Sequence, residues 1–259
     1  MLTRDEIRKY LDRLEYDKIP APDLETLHAL QWAHLTHVPY ENIDALLGIP
    51  ISLKPDDLYR KIVLEHRGGW CFELQGAYGY LLQSLGFAVM QYAARFMDEP
   101  GVVQMRRHRI LVVDFNGRRY LTDVGVRSES PRKPLALVFD AIQSDGVCNY
   151  QFRKDDFYGW TLWQEEKGKP WKPIYGFTEE PQIDDDFVMP SFWGEKHPDS
   201  TFNKFLKISI FSGETNRTLV GNVYKEYRDA KVQVRQVLET KEEIARVLLE
   251  RFGLDARQK

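Results

Sequence analysis

The chain has little of several features that would fix its class at once. It contains only two cysteines in 259 residues, Cys71 and Cys148, which are far apart and form no CxxC pair. Neither a disulfide framework nor a cysteine-ligated zinc site is therefore indicated. No charge is in strong excess, because 36 Lys and Arg face 39 Asp and Glu, for a net charge of −3. With 43% hydrophobic and 29% charged residues, the composition excludes disordered and fibrous classes.

Long apolar runs are also missing. Residues 1–6 contain no apolar stretch like that of a secretion signal, and apolar runs such as 135–139 are far shorter than the ~20 residues that a spanning helix needs. The sequence has no internal repeat, low-complexity tract or long linker. We therefore expect a cytoplasmic protein without a membrane partner. In that setting each thiol is either a small core residue or a reagent.

Helical patterns come first along the chain and β-rich patterns follow. Thr3 and Glu6 have capping-box spacing ahead of an amphipathic stripe, and the run 71–85 is apolar nearly all round, which predicts a buried helix. From Phe87 onward short β-rich segments follow, and the run 244–252 reads as a closing amphipathic helix. The pattern predicts an α+β protein with three units, at residues 1–86, 87–195 and 196–259.

The clearest local signal is a β-hairpin. Asn116-Gly117 lies between two strand-like runs, which is a strong hairpin signature. In a two-residue turn Phe115 pairs with Arg118, and this register places His108 and Asp123 on one face as diagonal neighbours. A buried Asp in such a strand needs a partner, and His108 is within reach. The spacing predicts a hydrogen bond between His108 and Asp123, although an incidental pair stays open on spacing alone.

The two cysteines have different settings. Cys71 follows the run 67–70, Arg-Gly-Gly-Trp, and begins the predicted buried helix. Glycines permit close backbone approach, and a helix N-terminus favours a thiolate. With a His that is oriented by an Asp, the three roles of a cysteine nucleophile triad are present. A buried cysteine without chemistry stays open at this point. Cys148 lacks such a setting, and we assign it to packing.

Several motifs, in order, then resemble one family. Residues 67–76, RGGWCFELQG, resemble the active-site signature of the arylamine N-acetyltransferases, whose usual form is RGGYCFE followed by Asn or Gln. Four further segments are similar to the family's IPFEN, YL-x-DVG, LY-x-FT-x-EP and PDSPF motifs: VPYEN at 38–42, YLTDVG at 120–125, IYGFTEEP at 174–181 and HPDSTF at 197–202. The likeness covers essentially the whole chain, which is identified as a member of this family.

The resemblance carries expectations about fold and activity. It implies an N-terminal helical bundle, a β-barrel-like middle domain and an α/β lid, with a catalytic core like that of cysteine proteases and transglutaminases. It implies a triad of Cys71, His108 and Asp123, with acetyl-CoA as the acyl donor. It further implies ping-pong transfer to an arylamine or arylhydrazine, or to an N-hydroxyarylamine, and a role in xenobiotic metabolism. Glu41 would pair with Arg67 and brace the nucleophile loop.

One segment departs from the family pattern. After the DVG motif the family usually has an aromatic residue and two glycines, and this chain has Val126, Arg127 and Ser128. The change reshapes the acceptor pocket and removes backbone freedom near the donor. Residues 106–133 hold eight Lys or Arg against three acids, which suits an anionic donor, and we expect Arg127 to help bind a CoA phosphate. We expect Phe202 to contact substrate together with Val126, Arg127 and Ser128.

Other interpretations stay open on the sequence. One is an amide synthase of the same fold that uses a long acyl chain on a carrier protein. Another is a transglutaminase-like or protease-like hydrolase, and a third is a catalytically silent binding protein. No nucleic-acid partner is expected, since no binding motif accompanies the basic segment. No metal is expected either, because His34 and His37 have no Cys or carboxylate companion that suggests a closed site. The natural acceptor and the oligomeric state are not encoded.

Overall fold

A computed structural model describes residues 1–18, 20–229 and 231–255, with the backbone alone at Ser128. The α-helices in these residues are α1 (Arg4–Arg13), α2 (Leu24–His37), α3 (Ile43–Leu47), α4 (Pro55–Tyr59), α5 (Cys71–Ser84), α6 (Val188–Lys196) and α7 (Lys241–Phe252). A π-helical turn (Arg60–Leu64) continues α4, and two 3₁₀ turns occur at Arg127–Glu129 and Asp184–Phe187.

The strands form two antiparallel sheets. They are β1 (Ala88–Phe96), β2 (His108–Phe115), β3 (Arg118–Thr122), β4 (Leu135–Ala136), β5 (Gln143–Ser144), β6 (Cys148–Asp155), β7 (Gly159–Glu166), β8 (Lys172–Phe177), β9 (Lys207–Ser212), β10 (Thr215–Val220), β11 (Val223–Arg228) and β12 (Lys231–Val237). The first sheet has the order β4-β3-β2-β1-β8-β7-β6-β5 and is barrel-like and nearly closed, and the second has the order β12-β11-β10-β9. This mixture of helices and separate antiparallel sheets is the α+β class that the sequence predicts.

The first helix begins where the sequence predicts, and a side chain caps the second helix as well. At α1 the Thr3 hydroxyl accepts a hydrogen bond from the Glu6 N–H at 3.3 Å, and the Glu6 carboxylate accepts one from the Thr3 N–H at 2.7 Å. At α2 the Asp23 carboxylate accepts the Thr26 N–H at 2.8 Å. These bonds satisfy N–H groups that have no partner within the helix, so the caps fix both starting points.

Strand β2 is buried on both faces. Its inner residues alternate between two hydrophobic clusters: Leu111 and Val113 pack with the helices, whereas Ile110 and Val112 pack inside the barrel-like sheet. This explains why β2 reads as a continuous apolar run and not as an alternating one. Helix α5 packs against β2 and is buried along most of its length, as its composition predicts.

The C-terminal sheet and α7 enclose a third hydrophobic cluster. Tyr40 links this sheet to the loop before α5, because its backbone forms β-bridges with Ser209 and with Gly69. The division into units at 86 and 195 stays a prediction, and Phe187 of the predicted middle unit packs in the helical cluster. Residues 256–259 of the predicted lid lie outside the described residues. Within the described chain, no helix has both the length and the apolar character needed to cross a membrane.

Candidate active site

Cys71 is the first residue of α5, and two glycines place it there. A Cβ at Gly68 would overlap the carbonyl oxygen of Pro39, and a Cβ at Gly69 would lie 2.8 Å from the Glu73 side chain. Only glycine permits this close approach of the loop. The Glu73 carboxylate accepts the Trp70 N–H at 3.1 Å and so helps to cap the helix. The thiol therefore lies at the positive end of a buried helix, where negative charge is stabilised.

The hairpin brings His108 and Asp123 together. The pairs of β2 and β3 run from Phe115–Arg118 to Leu111–Thr122, which is the predicted register. Asp123 lies one residue beyond the last pair, and its carboxylate Oδ2 is 2.8 Å from Nε2 of His108. The predicted hydrogen bond is thus present, and both side chains are fully buried.

The Asp123 carboxylate accepts four hydrogen bonds in all. Oδ2 also accepts the Tyr175 hydroxyl at 2.9 Å, and Oδ1 accepts Gln75 Nε2 at 2.7 Å and the Gly125 N–H at 2.8 Å. Four donors on a buried carboxylate hold it in one orientation and compensate its desolvation. Sequence reasoning missed Gln75 and Tyr175, although Gln75 lies four residues after Cys71 and hence on the same side of α5.

His108 favours the protonated state. Burial opposes protonation, but the Asp123 carboxylate and then the Cys71 sulfur outweigh it and raise the pKa of His108 to about 9. The Cys71 Sγ also lies 3.8 Å from the backbone oxygen of Arg107. The second ring nitrogen, Nδ1, is buried without a hydrogen bond of ordinary geometry in the described part of the chain. A protonated ring next to a sulfur atom is the arrangement that stabilises a thiolate.

Gly125 closes the site over the nucleophile. A Cβ at this position would lie 3.0 Å from both Cα and Cβ of Cys71. Because real Cβ contacts are rarely so short, a side chain at Gly125 would displace either the loop or α5. The DVG segment therefore both orients the carboxylate and packs directly against the cysteine backbone.

A buried network of charges supports the loop before α5. Arg67 donates to Glu41 at 2.7 Å, which is the predicted pair, and also to Asp44 at 3.0 Å. Lys61 bridges Asp44 at 2.6 Å and Glu73 at 2.7 Å. Burial raises the pKa of Glu73 and opposes ionisation of Asp44, but Lys61 and Arg67 outweigh this at Asp44 and lower its pKa. The sequence analysis missed the three members other than Glu41 and Arg67.

A cavity of about 170 Å³ opens beside Cys71. Of the predicted substrate contacts, Val126, Arg127 and Phe202 line it, while the Ser128 side chain lies outside the described residues. Arg127 adopts a left-handed backbone conformation, with φ at +50°. Such a conformation costs a residue with a side chain roughly 1–2 kcal/mol, so the loop keeps a conformation that glycine favours.

The cavity is cationic. Arg107, Arg127 and Lys207 line it together, and the sequence analysis missed Lys207. Burial, reinforced by Arg127 and then Arg107, lowers the pKa of Lys207 to about 8. This shift indicates cations that lie close together with too little negative charge to offset them.

A second and narrower cleft also reaches Cys71. Its volume is about 20 Å³, and its walls are aromatic, with the Trp70 ring 5.4 Å from Phe202 and 6.2 Å from Phe72. Trp193 and Pro190 complete the lining. The thiol thus faces a cationic cavity and an aromatic cleft.

Cys148 has the surroundings of a packing residue. It lies in the barrel cluster at the start of β6. Burial, with Asp145 and Glu166 nearby, raises the pKa of its thiol to about 11. Within residues 1–18, 20–229 and 231–255, no group of three or more His, Cys, Asp or Glu side chains could hold a metal ion.

Comparison with known proteins agrees with this architecture. A family model described as N-acetyltransferase matches residues 23–259. The arylamine N-acetyltransferase of Mycolicibacterium smegmatis is 32% identical over 256 residues, which cover 95% of this chain and 90% of the relative. The Escherichia coli K12 enzyme of that name is 29% identical, with 96% of this chain and 88% of the relative covered.

Solved structures give the same result. The arylamine N-acetyltransferase from Salmonella typhimurium has a TM-score of 0.93 at 27% identity, covering 100% of this chain and 95% of that chain. The Mycobacterium marinum enzyme in complex with CoA has a TM-score of 0.89 at 29% identity, with 95% and 92% covered. The fold and the family match define an N-acetyltransferase, which is an acyl-transferring enzyme. More narrowly, the chain belongs to the arylamine N-acetyltransferase family, as the motifs predict.

Proposed function

We propose that the protein transfers the acetyl group of acetyl-CoA to arylamines and arylhydrazines through a thioester on Cys71. The observation that carries this proposal is the buried His108–Asp123 pair, joined at 2.8 Å, beside a cysteine at a helix N-terminus. O-acetylation of N-hydroxyarylamines is a related activity. A Salmonella typhimurium relative, 31% identical over 77% of this chain and 71% of its own length, is named for both reactions.

The first half-reaction uses the charged pair. Nε2 of His108 is hydrogen-bonded to Asp123, so Nδ1 is the nitrogen that can exchange a proton with Cys71. The thiolate attacks the acetyl carbonyl carbon, the bond to the CoA sulfur breaks, and the imidazolium donates its proton to the leaving CoA thiolate. N–H groups in the first turn of α5 would stabilise the oxyanion.

The second half-reaction needs His108 as a base. Acetylation removes the negative charge on the Cys71 sulfur, which is one of the groups that raise the pKa of His108. The ring therefore becomes less basic once the thioester has formed. The amine nitrogen attacks the thioester carbon, the bond from that carbon to the Cys71 sulfur breaks, and Cys71 leaves as a thiolate. His108 takes the proton from the amine and keeps it until the next CoA thiolate leaves. Exchange between two thioesters is nearly isoenergetic, whereas formation of the amide runs downhill, so the second step drives the cycle.

The two openings at Cys71 suit the two substrates. The cationic cavity matches the phosphates of CoA, with Arg107, Arg127 and Lys207 as the binding cations. The M. marinum relative has been solved with CoA. The aromatic walls of the cleft beside Trp70 can pack against the ring of the acceptor, but a cleft of about 20 Å³ has to widen to admit that ring. Phe202 borders both openings.

Glu41 and Arg67 would act as positioning residues. Neither contacts the thiol, but their pair holds the loop whose glycines place Cys71 at the start of α5. Breaking a buried pair leaves an uncompensated charge, so the loop would shift or rearrange. Replacing either residue should therefore lower the activity together with the free energy of unfolding.

The mechanism is tested by trapping the intermediate. The protein is incubated with acetyl-CoA in the absence of amine, and its intact mass is measured from about pH 6 to about pH 9. We expect one acetyl group, lost in Cys71→Ala and retained in the matched variant Cys148→Ala. Absence of the adduct across this range would refute the proposal, and an adduct that persists in Cys71→Ala would place the chemistry elsewhere.

The donor site is tested at Arg127. Arg127→Ala should raise the KM for acetyl-CoA by about tenfold, since one charged hydrogen bond to phosphate is lost. Arg118→Ala is the matched control, because Arg118 is exposed at the hairpin turn away from the cavity. An unchanged KM in Arg127→Ala would remove the residue from the donor site.

A further inference from the structure

The cavity beside Cys71 is also lined by a lysine whose backbone is held by hydrogen bonds. Lys207 is the first residue of β9 and lines the same 170 Å³ cavity as the thiol. The backbone N–H of Lys207 donates to Asn42 Oδ1 at 2.7 Å. The side-chain Nδ2 of Asn42 donates in turn to the backbone oxygens of Phe202 and Phe205, at 2.7 Å each. The backbone of Lys207 is therefore anchored at the wall of the cavity that Cys71 also lines, while its side chain has a flexible stem.

Burial and the neighbouring cations favour the neutral form of the Lys207 amine, which is the form that can act as a nucleophile. Its Nζ contacts the Thr201 hydroxyl and lies 4.3 Å from the centre of the Phe202 ring. Among the described residues, no carboxylate forms an ion pair with it. The other titratable or charged groups that line the cavity are Tyr40, Cys71, Asp98, Arg107, Arg127 and Glu129.

The two acids do not offset burial and the two arginines, because the pKa of Lys207 falls to about 8. About a quarter of the amine is then uncharged at about pH 7.5, against roughly a thousandth for an ordinary lysine. A lysine that is desolvated next to other cations is one of the known ways to activate this nucleophile.

We propose that Lys207 is an internal acetyl acceptor, which takes the acetyl group from Cys71 when no amine substrate arrives. This inference rests on the acetyl-Cys71 intermediate of the proposed function. The uncharged Nζ attacks the thioester carbonyl carbon, the bond between that carbon and Sγ breaks, and Cys71 leaves as a thiolate. The proton lost by Nζ passes to His108, so the products are an Nε-acetyl amide at Lys207 and a restored thiolate–imidazolium pair.

The order of events favours the transfer after CoA has left. Bound phosphates would keep Lys207 protonated, because an anion nearby favours the charged form of an amine. Once CoA departs, the two arginines again favour the neutral form, at the moment when the thioester is present. Acetylation then removes one of the three cations of the donor cavity, so the enzyme would lose affinity for its donor when the acceptor is scarce.

Mass spectrometry separates the two acetyl adducts. The full chain is incubated with acetyl-CoA alone and then treated with neutral hydroxylamine, which cleaves a thioester and leaves an amide. Peptide mapping should find the resistant acetyl group on Lys207. It should be absent in Cys71→Ala and in Lys207→Arg, whereas Lys204→Arg, changed at an exposed lysine nearby, should retain it.

The pH dependence and the kinetics provide further readouts. The amide should form about eightfold faster at about pH 8.5 than at about pH 7, in step with the neutral fraction of an amine with a pKa of about 8. After the modification, the KM for acetyl-CoA should rise, and Lys207→Gln should have the same raised KM from the start.

The outcomes distinguish this inference from the proposed function. A thioester on Cys71 with no resistant acetyl group at Lys207 would overturn the inference and leave the mechanism intact. Absence of the thioester itself would overturn the mechanism. A resistant acetyl group at Lys207 that persists in Cys71→Ala would mean direct reaction with acetyl-CoA, and this too would overturn the internal transfer.

Discussion

Replacing Asp123 by asparagine removes the charge at the centre of the site and keeps its size. The carboxylate accepts hydrogen bonds from His108, Tyr175, Gln75 and the Gly125 N–H. An asparagine amide would present an NH₂ group to two of these four donors. The variant therefore loses the negative charge beside the imidazole and also leaves buried donors without a partner, at about 1–3 kcal/mol each.

The size of the effect follows from the pKa of His108. Its rise from 6.5 to about 9 corresponds to a factor of about 300, or roughly 3 kcal/mol, in favour of the imidazolium. Burial alone would lower the pKa, so the electrostatic attraction of Asp123 and Cys71 exceeds this net value. Without the carboxylate, the ring should be neutral at about pH 7, and the thiolate loses its counter-ion.

Alkylation by iodoacetamide measures the thiolate directly. In the wild type, the imidazolium of His108 should favour the Cys71 thiolate, so alkylation at about pH 7 should be fast. In Asp123→Asn its rate at about pH 7 should fall roughly a hundredfold and then rise with pH, as for a free thiol. Cys148, whose thiol has a pKa of about 11, is a slow internal reference. Equal rates for Cys71 in the two proteins would refute the ion pair.

A conservative control separates charge from hydrogen bonding. Tyr175→Phe removes one neutral donor from the Asp123 carboxylate at 2.9 Å and leaves the charge in place. Its alkylation rate should stay within a few-fold of the wild type. A loss as large as that of Asp123→Asn would mean that the geometry of the carboxylate, and not its charge, controls the thiol.

The same shift has a signature in stability. The pKa of His108 is about 6.5 in the unfolded chain and about 9 in the folded protein. The stabilisation is therefore fully present below about pH 6.5 and is lost as the pH rises through about 9. The difference in the free energy of unfolding between wild type and Asp123→Asn should shrink over this range. A constant difference would contradict the assignment.

Three further changes follow from the structure. Gly125→Ala puts a Cβ 3.0 Å from the backbone of the nucleophile and should lower the rate of acetyl transfer by at least about tenfold. In the control Gly79→Ala the nearest contact is 3.4 Å, and the rate should not change. Equal rates in the two variants would contradict the packing argument. Glu41→Gln breaks a buried ion pair and should lower the free energy of unfolding, measured with urea, by about 3–5 kcal/mol. Asp12→Asn breaks an exposed ion pair and should lower it by under ~0.5 kcal/mol. Binding of acetyl-CoA to a Cys71→Ala protein at about pH 8 should take up about half a proton in calorimetry, and Lys207→Met should abolish this uptake.

The hairpin could be predicted because local rules determine it. A two-residue turn fixes the register, and the alternation of side chains then places His108 and Asp123 on one face. Local rules also determine the helix caps and the buried helix that begins at Cys71. In each case the signal lies within about 15 residues, so one short segment carries both the structure and the contact.

The contacts that sequence reasoning missed are long-range. Tyr175 reaches Asp123 only because β8 pairs with β1, and no pattern in a single chain specifies that pairing. Lys207 lines the same cavity as Cys71 because Tyr40 forms a β-bridge with Ser209, two residues further along β9. Non-local pairings of this kind depend on the packing of whole elements, whereas turns and periodicity specify only neighbours in the chain.

Net charge is a poor guide to this site because the charges are unevenly distributed. In the buried network before α5, three carboxylates form short ion pairs with two cations, which leaves one negative charge in excess. The acids are Glu41, Asp44 and Glu73, and the cations are Lys61 and Arg67. The cavity beside Cys71 is lined by three cations and two acids, and burial together with the two arginines lowers the pKa of Lys207 there. A chain with a net charge of −3 can thus offer a site with a local excess of positive charge to one substrate. Since electrostatic attraction acts over about 8 Å at physiological salt, the local charge controls which donor approaches the thiol.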